Sequence, residues 1–206
     1  MKIIFLDIDG VLNCQGSSSY FGVAPGIDED KLLRLQRIIQ ATGARIVLTS
    51  SWKEDWKEKN TAGQYIDNVL ASVGLSVFDK TEDSVLDRGA GIQSWISSHN
   101  VQSYVILDDE CFDYEEYPGL TKRWIQTVFD NEKGGLQEEH VEKAISILNK
   151  DIETIIRQVD GSMAIEGLAL SEEDKERIRE MMISPKKTES IVQELVQKHS
   201  AKGESQ

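Results

Sequence analysis

Basic residues are the first thing this 206-residue sequence has little of: 23 Lys and Arg stand against 36 Asp and Glu, a formal net charge of −13. The deficit is shared along the chain, with 15 basic against 24 acidic residues up to position 150 and 8 against 12 beyond it. A broad cationic surface for sequence-blind nucleic-acid binding is thereby excluded, because such binding needs clustered Lys and Arg to displace counterions. A small local site for nucleic acid is not. Cysteine is also sparse. Cys14 and Cys111 stand far apart with no C-x-x-C partner, which argues against a zinc site or a disulfide framework and for reduced thiols in a cytoplasmic protein. Long apolar runs are missing too. The opening run, Ile3 to Leu6, is cut off by Asp7, so nothing resembles a signal peptide or a bilayer span, and no membrane partner is expected.

What is present is enough for a packed core, with 39% hydrophobic and 29% charged residues. Three short continuous apolar runs read as strands buried on both faces: Ile3 to Leu6, Ala44 to Leu48 and Tyr104 to Leu107. Helical spacing lies between them, from Asp30 to Thr42 with Gly43 as the stop, around Tyr65, Val69 and Leu70, and from Gly91 to Ser98. A strand at Trp124 to Val128 and a helix at Gln137 to Asn149 complete the pattern. Strands alternating with helices predict an α/β, Rossmann-like parallel sheet over residues 1–150. Beyond it the strand signals vanish. Residues 151–200 read as a small all-α module of three helices, Ile152 to Glu166, Glu172 to Met182 and Thr188 to Lys198, and 201–206 as a tail. Ser171 has the form of an N-cap ahead of an acidic first turn.

Each predicted strand ends in residues that a core does not accommodate: Asp7-Ile8-Asp9-Gly10 after the first, Thr49-Ser50-Ser51-Trp52 after the second, Asp108-Asp109-Glu110 after the third. In an open parallel sheet the carboxyl ends of neighbouring strands share one edge, where ligands bind. Carboxylates gathered there repel one another unless a cation sits among them, and hard oxygen donors favour Mg²⁺. Downstream of Thr49-Ser50, the aromatic and basic residues Trp52, Lys53, Trp56 and Lys57 have the pattern of an amphipathic helix packing its rings inward, with contact to a large substrate as the alternative.

These residues resemble the haloacid dehalogenase-like (HAD) phosphohydrolase superfamily. Asp7-Ile8-Asp9-Gly10 is similar to its first motif, Thr49 or Ser50 to its second, Arg88 (with Lys80 as rival) to its third, and Asp108-Asp109 to its fourth. Ser50-Ser51-Trp52 and Arg88-Gly89 are similar to the HAD domains of RNA-repair proteins in particular. The resemblance implies a HAD-type phosphatase. Asp7 would be the nucleophile and metal ligand, and Asp9 the acid and base, its carbonyl also on the metal. Mg²⁺ would be completed by Asp108 or Asp109, and the phosphoryl oxygens held by Thr49 or Ser50 and Arg88. The short gap from Asn13 to Asp28, and another from Trp52 to Arg88 holding little more than a helix and a strand, imply little or no cap domain. An open site suits a phosphorylated substrate as large as an RNA or DNA end or a phosphoprotein.

A second resemblance lies beyond residue 150. Ser162-Met163-Ala164-Ile165-Glu166-Gly167 has the form Ser/Thr-x-x-x-Glu-Gly/Asn, and with the Ser171-capped helix that follows it is similar to the VbhA-type antitoxin domain that silences Fic adenylyltransferases. That implies a Fic-domain toxin as partner, inhibited by Ser162, Glu166 and Gly167, the Glu166 carboxylate pairing with a toxin Arg and obstructing placement of the ATP γ-phosphate. The competing readings are a non-catalytic HAD scaffold carrying such a module, and a phosphatase with a merely structural helical appendage, in which Gly167 is a helix C-cap.

Overall fold

In the computed structural model, residues 1–83, 87–165 and 169–183 are described. The chain divides into two compact units, Met1–Leu148 and Asn149–Gln206. The first is a five-stranded parallel sheet in the order β5-β4-β1-β6-β7, made from Val77–Lys80, Arg45–Leu48, Lys2–Leu6, Ser103–Asp108 and Trp124–Gln126 respectively. The central strand β1 is buried at every position, which is why it reads from Ile3 onward as an unbroken apolar run instead of an alternation.

Helices cover both faces of the sheet. Alternate residues of β1 divide between two cores: Ile4 and Leu6 pack with Leu32, Leu35 and Ile38 of α1 (Glu29–Thr42), while Ile3 and Phe5 pack with Ile92 and Trp95 of α4 (Arg88–Ser98). Full burial of each such side chain is worth roughly 1.5–3 kcal/mol. Helix α1 ends where Gly43 turns left-handed (φ 66°) and its N–H bonds Ile39 O at 2.8 Å, a conformation glycine adopts without steric cost. Two further helices, α2 (Lys53–Glu58) and α3 (Thr61–Ser72), precede β5, and the short α5 (Pro118–Thr121) precedes β7.

The short first gap, Asn13 to Asp28, holds a two-stranded antiparallel hairpin, β2 (Tyr20–Phe21) with β3 (Ala24–Pro25). The strand expected at Trp124 to Val128 stops at Gln126. A larger difference concerns the two helices expected at Gln137 to Asn149 and Ile152 to Glu166, since one helix, α6, runs from Glu138 to Ile165. The polar stretch Asn149-Lys150-Asp151 contains neither Gly nor Pro, and polar residues without a breaker do not end a helix. Apolar residues keep helical spacing through it, at Val141, Ala144, Leu148, Ile152 and Ile156, all buried.

In the second unit, α7 (Glu172–Ile183) starts with a reciprocal cap. The Asp174 N–H donates to Ser171 Oγ at 3.1 Å, and Ser171 N–H donates back to Asp174 Oδ2 at 3.1 Å. Arg179 forks onto both oxygens of Glu153 at 2.7 and 3.1 Å, tying α7 to α6. The helix expected at Thr188 to Lys198, and residues Glu166 and Gly167, lie outside the described residues. No described helix is long and apolar enough to cross a membrane.

Candidate active site

Parallel register assembles the site. Leu6 pairs with Leu48 on one side and Leu107 on the other, so the next residues, Asp7, Thr49 and Asp108, emerge side by side from the carboxyl edge. The Asp7 N–H still bonds Leu107 O, and Thr49 N–H bonds Leu6 O, both at 3.0 Å. The chain then leaves β1 in a single turn of helix, with Leu12 N–H on Ile8 O at 2.8 Å. Gly10 sits in that turn at φ 75°, where a Cβ would collide with the Asp109 carboxylate. The glycine of Asp-x-Asp-Gly therefore lets the first and third strand ends approach.

Arg88, the first residue of α4, reaches into this cluster. One guanidinium nitrogen lies 2.6 Å from Asp108 Oδ2 and 3.1 Å from Asp7 Oδ2, with all three side chains buried. Its Nε is buried with no hydrogen-bond partner, and its guanidinium lies 4.0 Å over the Phe112 ring. Asp113 sets where α4 begins by accepting the N–H groups of Gly89 (2.5 Å) and Ala90 (3.0 Å). Lys80, the rival cation, turns away to Glu54 and Glu82, each at 3.1 Å. Arg88 is thus the cation at Asp7.

The two adjacent hydroxyls differ as well. Ser50 stands close enough to the Asp7 carboxylate to favour its charged form, whereas Thr49 Oγ1 is buried without a partner. So do the two carboxylates of the third strand end. Asp108 is fully engaged: Oδ2 accepts from Arg88 and from the Tyr114 hydroxyl (2.7 Å), and Oδ1 accepts from Glu110 N–H (3.1 Å). Asp109 is half-buried and lines the cleft. Burial, opposed by Arg88 and Ser50, pushes the Asp7 carboxyl above its ordinary range. Burial and the neighbouring Asp7 push Asp108 up to about 7 and Asp109 up to about 6.

Asp9 is held differently. Its Oδ1 accepts from Asn13 Nδ2 at 2.8 Å and its Oδ2 from the Trp52 indole N–H at 2.9 Å. The cleft that Asp7 and Asp9 open into has a volume of about 660 Å³, and its walls include Pro25 of the hairpin, Ser51, Phe112 and Phe129. Lys53 and Trp56 point elsewhere: Lys53 is buried against Asp83 at 2.8 Å, and the Trp56 indole bonds Asp67.

A sequence profile described as the HAD domain in Swiss Army Knife RNA repair proteins matches residues 3–141. The chain belongs to this family. Membership makes the Met1–Leu148 unit a HAD domain and supports a hydrolase of HAD type. Among curated proteins, none matches the chain. Of the residues around this HAD-domain cleft, Asn13, Asp113 and Tyr114 carry no signal in the sequence, and Trp52, expected to pack inward or to contact a large substrate, hydrogen-bonds Asp9. Asn13 and Asp113 are ordinary turn residues by composition, and only their partners distinguish them. Of the proposed Fic-inhibitory residues, Ser162 is exposed on α6, and the other two are among those not described.

Proposed function

We propose that the chain is a Mg²⁺-dependent phosphohydrolase that forms an aspartyl-phosphate on Asp7. The observation that carries this reading is the Asp7 carboxylate itself, buried at a strand end between Arg88 and the Ser50 hydroxyl and opening into the cleft. The donor set fits a magnesium ion: oxygens of Asp7, Asp108 and Asp109 lie within 4.8 Å of one another. Asp7, Asp9 and Asp109 line the cleft whereas Asp108 is fully buried behind it, so Asp7, the Asp9 carbonyl and Asp109 are the residues that would hold it. Bound there, Mg²⁺ supplies positive charge between nucleophile and phosphate.

The chain's own groups supply the rest. Arg88 and Ser50 orient the phosphoryl oxygens, and the free Arg88 N–H gains an acceptor in doing so. An Asp7 oxygen bonds phosphorus as the ester P–O bond breaks, and Asp9 gives its proton to the leaving oxygen. In the second half, Asp9 takes a proton from water, the water oxygen bonds phosphorus, and the bond to Asp7 breaks to release phosphate. The substrate class is a phosphomonoester on an accessible group, such as a nucleic-acid terminus. What supports this is the modest hairpin beside the cleft, with α2, α3 and β5 in the other interval, so that no separate folded cap stands over it among the described residues. The test is phosphate release with Mg²⁺ and with EDTA from p-nitrophenyl phosphate, nucleotides, phosphorylated oligonucleotides and phosphopeptides. Release that depends on Mg²⁺ and on Asp7 supports the reading, and none from any of them leaves a non-catalytic scaffold.

We also propose that the second unit binds and inhibits a Fic adenylyltransferase. Its support is a row of exposed side chains on α6: Ile155 and Val159 are each 39% exposed, and Ser162 follows on the same helical face. Exposed β-branched residues leading into the Ser162–Glu166 spacing suit a partner surface better than solvent. A pull-down paired with an adenylylation assay tests it on wild type, Glu166→Gly and a 1–148 truncation. Binding without inhibition is expected for Glu166→Gly, and inhibition by the truncation would remove the assignment.

A further inference from the structure

Resting on the assignment of Asp9 as the proton-transfer residue, we infer that Trp52 and Asn13 are positioning residues: they hold Asp9 by both oxygens and tie it to the hairpin that walls the cleft. Asp9 is only half-buried, so water would satisfy its carboxylate without help. Two side-chain donors nevertheless converge on it, one per oxygen, at 2.9 and 2.8 Å. The orientation of Asn13 is set independently, because its Oδ1 accepts the Gly10 N–H at 2.9 Å and leaves Nδ2 facing Asp9.

Neither donor can accept a hydrogen bond in return. An indole N–H is donor only, and the Asn13 amide nitrogen likewise. When Asp9 carries its proton, the O–H is therefore turned away from both and toward the cleft, where the leaving oxygen stands. A general acid has to lie within about 2.6–3.2 Å of the atom it protonates, and a misplacement of about 1 Å can cost on the order of 10²-fold. Clamping both oxygens removes the rotation that would produce such an error.

Both clamps also touch the hairpin. Asn13 Nδ2 donates to Pro25 O at 3.2 Å. The Trp52 ring lies 5.7 Å from Phe21, which stacks on Tyr65 at 4.6 Å, and the Tyr65 hydroxyl in turn accepts the Ile27 N–H just beyond β3. Ala24 and Pro25 line the cleft itself. A leaving group seated against the hairpin thus presses on the same two residues that aim Asp9.

The experiment separates proton delivery from folding and from phosphate binding. Values of kcat/KM are measured for p-nitrophenyl phosphate, whose leaving group departs without a proton, and for ethyl phosphate, whose alkoxide needs one. Trp52→Phe keeps a ring and removes the indole N–H, and should raise the p-nitrophenyl to ethyl ratio about 10–100-fold. Asn13→Asp retains the acceptor for Gly10 N–H and removes the donor to Asp9, and should raise the ratio likewise. It carries the test if Trp52→Phe does not fold. A folded variant that loses both substrates equally overturns the inference. Asp9→Asn, run alongside, tells the two failures apart. If it too leaves the ratio unchanged, the role of Asp9 itself is wrong, whereas a raised ratio in Asp9→Asn alone sinks only the clamp.

Discussion

On one side of the cleft, Asp7, Arg88, Asp108 and Tyr114 form a sealed cluster in which no side chain is appreciably exposed. On the other, Asp9 is half-buried and held by Trp52 and Asn13, residues in contact with a surface hairpin. The first arrangement has a large built-in electrostatic cost, and its groups have one geometry. The second is cheap to solvate and is aimed by two hydrogen bonds. The difference matches the two halves of the proposed chemistry. A phosphoryl group is the same in every substrate and suits a fixed cradle, whereas leaving groups vary and are met on the side that the hairpin borders.

The comparison can be broken most sharply at Asp7, the proposed nucleophile. Asp7→Asn should abolish phosphate release and prevent trapping of a phosphorylated chain detected by mass spectrometry, because among the described residues Asp7 is the carboxylate that both pairs with Arg88 and lines the cleft beside Asp9. Asp9→Asn should lower turnover by about 10²–10⁴-fold while leaving the thermal midpoint close to wild type, since its surroundings are partly wet. Arg88→Ala belongs to the sealed side and should fail in both measurements. It is expected to lose about 10²–10³-fold in turnover and about 3–5 kcal/mol in urea denaturation, by leaving Asp7 and Asp108 buried without their cation.

Magnesium provides a gentler probe. With folded-state values of about 7 for Asp108 and about 6 for Asp109, both above the ordinary unfolded carboxyl value of about 3.9, the native chain binds more protons than the unfolded one across this window. Metal-free stability should therefore fall as pH rises from about 4 to about 7. Added Mg²⁺ should raise the melting temperature at pH 7, less so in Asp109→Asn, as read by differential scanning fluorimetry. The smallest effect is expected from Tyr114→Phe, which removes one buried hydroxyl from Asp108 and should cost about 1–3 kcal/mol. A larger loss of turnover than of stability there would show that Asp108 is aimed as well as buried.

Much of this site is readable along the chain because parallel strands buried on both faces announce themselves as short apolar runs, and whatever polar residue ends each run stands at the ligand-binding edge. That logic reaches Asp7, Asp9, Thr49, Ser50, Asp108 and Asp109, all of which lie within the matched residues 3–141. It does not reach helix α6. There the sequence pattern predicts two helices, Gln137 to Asn149 and Ile152 to Glu166, although nothing in the backbone preferences of Asn149-Lys150-Asp151 ends a helix.

The sequence by itself determined the sheet, the order of its strand ends and the chemical type of the site, because those follow from local hydrophobic runs and from residue types one step beyond them. Tertiary structure alone decided which members of each pair do what. Arg88 and not Lys80 meets Asp7, because Asp113 fixes the start of α4 while Glu54 and Glu82 hold Lys80. Ser50 and not Thr49 acts on the Asp7 carboxylate. Asp109 and not Asp108 faces the cleft, because Arg88, Tyr114 and the Glu110 N–H occupy both Asp108 oxygens. Each choice depends on a partner many residues away or on the direction of a single side chain, and neither leaves a periodicity in the sequence to be read.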